Sequence, residues 1–291
     1  MATTLLASLD SFAKPLFTEG ASDIKIMATN WGFEGDTQSF CLKAKAAGYD
    51  GIEVWWEADA AKRRELFNAL IGNNLAVGFL AGSGNPDAEK NFQAFFKDMS
   101  DAASQTVLKP LYINCHSGKD YFTAKQCEQF FRMTHEVFKE TGVPIYHETH
   151  RGRILYSAPI ARNYLETHPD LQITLDISHW CCVHESYLAD QKETVDLALS
   201  RTGHIHARIG HPEGPQVSDP RAPEWENAVK AHFDWWDKVV TRRRKEGKRI
   251  TFLTEFGPPD YMPTLPYTRQ PVANQWDINA YMMKVLRERY K

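Results

Sequence analysis

The sequence predicts an α/β protein built as a single (β/α)8 TIM barrel. Eight short apolar or β-branched runs alternate with longer amphipathic stretches along the whole chain. The repeating units are spaced mostly about 24–35 residues apart, as strand–helix units of a parallel barrel are. Carboxylates and imidazoles gather at the C-terminal ends of the later runs, the end at which barrels of this kind carry their chemistry. At 291 residues the chain has the size of one such domain. The domain is assigned to residues 1–291, with strand–helix units from about 24 to 291 and an N-terminal extension at 1–23.

The strands are expected at IKIMATN (24–30), GIEVWW (51–56), LAVGFLAG (75–82), PLYINCHSG (110–118), VPIYHETH (143–150), LQITLDIS (171–178), HIHARIG (204–210) and RITFLTEFG (249–257). Amphipathic stretches such as TQSFCLKAKAAGYD and TAKQCEQFFRMTHEVFKETG supply the helices. Gly142 and Gly203 are expected at helix C-termini. A doubly wound open sheet is the competing architecture, but WGFEGD after the first strand lacks the GxGxxG phosphate loop. Two turn-rich segments, 210–225 after the seventh strand and 257–271 after the eighth, are where active-site loops belong.

Composition narrows the function classes. Apolar residues make up 43%, charged residues 24% and aromatics 12%, the profile of a globular protein with ample core. A formal net charge of −3 and a pI near 6.4 give no electrostatic footprint for nucleic acid, so no nucleic-acid partner is expected. The basic cluster Arg242-Arg243-Arg244-Lys245 reads as a solvated helix end complementing the helix dipole. No apolar run approaches a membrane span, and MATTLLASLDSFAKPLF lacks the charged start of a signal peptide. Five cysteines (41, 115, 127, 181, 182) without paired spacing suit a reducing, cytoplasmic setting as buried or half-buried thiols.

The polar residues closing each run are the informative ones. The second strand offers Glu53, the fourth Asn114 and His116, and the fifth Glu148 and His150. The sixth offers Asp176 with His179, the seventh His204, His206 and Arg208, and the eighth Glu255. Strand alternation puts Tyr146, Glu148 and His150 on one face, and likewise Thr174 with Asp176, His204 with His206, and Leu253 with Glu255. Alone, a strand-end Glu is ordinarily solvated, and a DxxH spacing says little. Acidic or imidazole residues at matching depth on four successive strands can converge near the barrel axis. Three carboxylates there would repel one another unless a divalent cation neutralised them. Mixed oxygen and nitrogen ligation without thiolate suits Mn2+, Mg2+, Co2+, Fe2+ or Zn2+.

AGYDGIEVWW, YINCHSG, YHETHRGR, LDISHW, HIHARIG and LTEFG together make the chain resemble the xylose isomerase-like TIM barrels, the sugar isomerase and epimerase superfamily that also includes endonuclease IV. The resemblance runs from IKIMATN to the last helix. It implies one divalent metal ion held by Glu148, Asp176, His206 and Glu255, with His179 contacting substrate. His206 is preferred to His204 because the family's ligand begins a segment like HARI. In the ketose 3-epimerases of the family that segment continues with an acid and a substrate-binding Arg, where this chain has Ile209 and Pro212, and Arg208 could serve instead. Endonuclease IV-type enzymes use three metals with early-strand His ligands; LAVGFLAGSG offers none.

The implied activity is metal-dependent isomerisation or epimerisation of a carbohydrate-like small molecule through an enediolate. Glu148 and Glu255 would be the catalytic acid–base pair, and His179, His150, Arg208, His116 and Trp180 would bind substrate. Trp31, Trp55 and Trp56 are further candidates for an apolar floor, with core packing as the alternative for each. The same site could serve a lyase of the inosose-dehydratase or keto-glycoside-eliminating kind. A metal-dependent hydrolase or phosphodiesterase and a non-catalytic sugar-binding barrel are remoter readings. A homo-oligomer could form through an apolar patch on the helical ring.

Overall fold

The computed structural model describes residues 11–17 and 23–291, so residues 1–10 of the stretch read for a signal peptide, and 18–22 of the N-terminal extension, lie outside the described residues. Eight parallel strands close a barrel in sequence order: β1 (Ile24–Thr29), β2 (Gly51–Trp55), β3 (Ala76–Gly82), β4 (Ile113–His116), β5 (Ile145–Glu148), β6 (Ile173–Leu175), β7 (Thr202–His206) and β8 (Ile250–Thr254). Closure is made by β8 on β1, in register from Ile24 opposite Ile250 to Ala28 opposite Thr254.

Nine α-helices are present among the described residues: α1 (Thr37–Ala47), α2 (Ala60–Gly72), α3 (Ala88–Ala103), α4 (Ala124–Thr141), α5 (Ala158–Thr167), α6 (Ile177–Val183), α7 (Lys192–Arg201), α8 (Glu226–Lys245) and α9 (Gln275–Arg289). Local chemistry starts and stops them. The side chains of Asp36, Asp59, Asp87 and Asn274 accept hydrogen bonds from first-turn N–H groups, and Thr123 with Gln126 forms a capping box. Gly142 ends α4 in the left-handed conformation, at φ 66°. No described helix is long and apolar enough to cross a membrane.

Strand alternation divides the interior into two parts. Outward-facing Ile52, Val77, Phe79, Ile113, Ile173, Ile205 and Phe252 pack with the helices in the main core. Inside the barrel, Met27, Tyr112, Tyr146 and Leu253 form a small apolar plug. Two glycines admit its tyrosines. A Cβ on Gly78 would lie 2.4 Å from the Tyr112 ring, and one on Gly203 would lie 2.3 Å from the Tyr146 ring. Gly203 is therefore not the helix C-terminus expected of it: α7 ends at Arg201, and Gly203 lies in β7 where the pairing with β6 shifts register, kept bare by Tyr146.

Other expectations are also revised. The sixth strand is cut to Ile173–Leu175, because the Asp176 N–H turns to the Thr149 hydroxyl (2.8 Å) and the chain enters α6 at Ile177. The basic cluster at the end of α8 is packed rather than solvated. Arg243 is buried and donates to Arg249 O, Arg242 bonds Thr202 O and Glu246, and Arg244 lies over the Phe17 ring at 4.1 Å; only Lys245 is exposed. All five cysteines are free thiols, Cys182 half-buried and the others buried.

Candidate active site

Above the tyrosine plug the barrel interior turns polar. Glu53 of β2 and Asn114 of β4 are fully buried, as is His204 of β7. Beside them stand Glu148 at the end of β5, Asp176 just past β6, His206 at the end of β7 and Glu255 just past β8. Each comes from an inward position of its strand, which is why residues so distant in sequence meet.

His206 sits at the centre. Its Nδ1 lies 2.8 Å from Glu255 Oε2 and 3.7 Å from Glu148 Oε1, and its Nε2 lies 3.1 Å from Glu53 Oε1. His206 Nδ1 and Glu255 Oε2 are both buried and form a close ion pair. The Asn114 amide donates to Glu148 Oε2 (2.7 Å), and His116 Nε2 lies 2.8 Å from the same oxygen. Asp176 receives hydrogen bonds from Ser178 and from the Arg208 guanidinium, which is also 3.6 Å from Glu255 Oε2 and 2.9 Å from His179 Nε2. Atoms of Asp176, His206 and Glu255 are near enough to share one ion, and so are atoms of Glu148, Asp176 and His179.

Burial and charge set the protonation of these groups. Burial pushes the Asp176 carboxyl up, and Glu255 and Glu148 add to the shift against the pull of Arg208, leaving it at about 6. Burial acts the same way on Glu148, but His116 and His206 hold its carboxyl well below the usual range. His206 is driven well above the imidazole range because Glu255, Glu148 and Glu53 outweigh its desolvation. Burial lowers His150 to about 3 and His179 well below its ordinary value, so both rings are neutral near pH 7. The rings of His116, His150 and His179 run in a row beside Glu148, with centroid separations of 4.9 and 4.0 Å.

The structure thus brings together Glu148, Asp176, His206 and Glu255, with His116, His150, His179 and Arg208 around them. Trp180 is the exception among the expected substrate contacts. Its helical position on α6 turns the indole into the main core, where it is fully buried and donates to Leu155 O (2.9 Å). Trp56 likewise packs against Phe79. Trp31 and Trp55 stay partly exposed above the barrel, against Tyr261 and His116 respectively.

Three participants were not in the expected set. Glu53 and Asn114 were recognisable as isolated polar residues in apolar runs. Tyr261 had no local signal: its ring covers Arg208 at 4.7 Å from a turn-rich loop. That loop is tied to the other one by Gln216, whose buried amide donates to Gly257 O (3.2 Å) and accepts from Gly257 N–H (2.7 Å).

Comparison with known proteins gives the fold a lineage. Residues 41–230 match the family model of the xylose isomerase-like TIM barrel. That span contains Glu148, Asp176 and His206, whereas Glu255, just past β8, lies beyond it. No curated protein matches the chain by sequence. Among solved structures, a probable 3-DHS dehydratase involved in petrobactin synthesis from Bacillus anthracis is similar at 18% identity, covering 90% of this chain and 98% of that one, with a TM-score of 0.58. An AP endonuclease, family 2, from Brucella melitensis is similar at 15% identity, covering 89% and 98%, with a TM-score of 0.57. A D-tagatose 3-epimerase-like protein is similar at 13% identity, covering 90% and 97%, with a TM-score of 0.56. At these identities the likeness is one of fold alone. The match over residues 41–230, together with the closed eight-stranded barrel, shows that this chain belongs to the xylose isomerase-like TIM barrel family.

Proposed function

We propose that the chain is a divalent-metal-dependent isomerase or epimerase of a sugar, sugar derivative or keto-polyol, with Glu148, Asp176, His206 and Glu255 holding one ion. The observation that carries this reading is the convergence of Asp176, His206 and Glu255, all buried, whose donor atoms lie within 4.8 Å of one another. Buried charges are ordinarily paired or coordinate metals, and carboxylate and imidazole donors converging on one point suit a shared cation. The charge balance agrees: among the described residues, four buried carboxylates, Glu53, Glu148, Asp176 and Glu255, face only Arg208 and the raised-pKa His206 as cations, which leaves negative charge in excess. Oxygen and nitrogen donors without thiolate suit Mn2+, Mg2+, Co2+, Fe2+ or Zn2+.

When bound, such an ion supplies charge that polarises a substrate carbonyl and lowers the pKa of the adjoining C–H. Glu148 and Glu255 act as base and acid. They stand on strands three apart in an eight-stranded barrel and approach His206 Nδ1 to 3.7 and 2.8 Å, so one can take a carbon-bound proton while the other returns it. The neutral rings of His150 and His179 exchange hydrogen bonds with substrate hydroxyls. Arg208 keeps Asp176 ionised and oriented.

A lyase on the same site is the second reading, since two carboxylates approaching one point, Glu148 and Glu255, could take a carbon-bound proton and pass it to a departing β-hydroxyl. Incubation with candidate substrates in D2O separates the two. An isomerase or epimerase incorporates deuterium at carbon and releases nothing, whereas a lyase releases water or an aglycone. Both require a divalent ion, so activity that survives EDTA unchanged, or binding of no divalent ion at all, would remove the proposal.

A further inference from the structure

We infer that Glu53 is a positioning residue for the ion site, fixing which nitrogen of His206 faces the ion. This rests on the metal-dependent reading above and adds to it a residue on β2, across the barrel from the four expected ligands. Glu53 is fully buried, and both its oxygens are engaged. Oε2 accepts from the Tyr112 hydroxyl (2.7 Å) and lies 3.0 Å from His204 Nε2. Oε1 lies 3.1 Å from His206 Nε2.

A carboxylate so held has one use for Oε1, which is to accept the Nε2 proton. Asn114 Nδ2 is also 3.1 Å from His206 Nε2, but it is a neutral amide whose shorter bond goes to Glu148 Oε2 (2.7 Å), whereas Glu53 is a charged acceptor, so an Nε2 proton is held most strongly by Oε1. With Nε2 protonated, the lone pair falls on Nδ1, the atom facing Glu255 and Glu148. A carboxylate behind a ligating imidazole fixes its orientation and raises its basicity. The rest of the assembly braces the carboxylate in turn. His204 Nδ1 is anchored to Thr251 Oγ1 (2.7 Å), and its ring stacks on Tyr112 with a centroid separation of 4.1 Å. Tyr112 itself fits only because position 78 is glycine. These residues lie below the ion site, where substrate does not reach, so their role runs through His206.

The test uses the full chain labelled with 15N-histidine, loaded with Zn2+ and observed by NMR, together with Mn2+ titration of the wild type and Glu53→Gln. The expected result is that His206 keeps a slowly exchanging Nε2–H with the ion on Nδ1. Glu53→Gln should weaken Mn2+ binding about 10–100-fold and speed exchange of that proton. Finding the ion on Nε2 in the wild type, or wild-type Mn2+ affinity in a folded Glu53→Gln, would overturn the inference. If Glu53→Gln does not fold, the wild-type spectrum still decides. A wild type that binds neither ion would instead overturn the metal-dependent reading itself.

Discussion

Replacing Arg208 with methionine isolates the electrostatics of the site. The guanidinium is 2% exposed and bonds Asp176, with Ser178 Oγ 3.3 Å from Nε and Glu255 Oε2 3.6 Å from NH2. Removing one partner of a buried pair typically costs about 3–5 kcal/mol, because the charge left behind is uncompensated. The structure sets a ceiling on that cost, since Asp176 can take up a proton instead. Because the wild-type carboxyl already sits at about 6, the extra cost of protonating it is about 2 kcal/mol at pH 7.5 and close to zero at pH 5.0. The sign follows directly. Without Arg208 the folded pKa of Asp176 rises further above 3.8, so stability is regained as pH falls and lost as pH climbs through the folded value. Urea unfolding of the wild type and Arg208→Met in EDTA, at pH 7.5 and 5.0, measures both effects. We expect a loss of about 2 kcal/mol at pH 7.5 that shrinks towards zero at pH 5.0. A loss below about 1 kcal/mol at pH 7.5, or one that does not change with pH, would refute the electrostatic account of the site. Adding Mn2+ should stabilise the variant more than the wild type, because a divalent ion replaces the missing positive charge.

Gly203→Ala should cost at least about 1–3 kcal/mol and lower the melting temperature, because its Cβ would meet the Tyr146 ring and the plug has no room to yield. Gln216→Ala removes two buried hydrogen bonds between the loops and should cost about 2 kcal/mol; faster amide exchange confined to residues 210–225 and 257–271 would identify the loops as its target. His232 accepts from Gly210 N–H, and burial lowers its pKa to about 4. Its contribution is complete above pH 6.5 and is lost as pH falls through about 4, by up to roughly 3 kcal/mol. The stability gap between wild type and His232→Gln should therefore narrow on acidification, and a constant gap would contradict this.

The barrel was legible in the sequence because its determinants are local. Apolar runs of strand length alternate with amphipathic stretches whose first turns carry Asp, Asn or Thr caps. The convergence of Glu148, Asp176, His206 and Glu255 was legible for the same reason: the period of a strand fixes which residues face inward, and parallel closure brings like ends together. What the sequence left undecided depends on contacts between distant segments. Gly203 resembles a helix cap until Tyr146 is found against it. Trp180 borders the site in sequence but faces the core once α6 begins at Ile177. The Arg242–Arg244 cluster reads as surface until Thr202, Arg249 and Phe17 come to meet it. Glu53 and Tyr261 joined the site only through closure, the first from across the barrel axis and the second from a loop without periodicity. Local patterning determined the scaffold and the inward residues. The tertiary structure alone decided which of them share a proton, a charge or a wall, because those energies depend on distances that no single segment specifies.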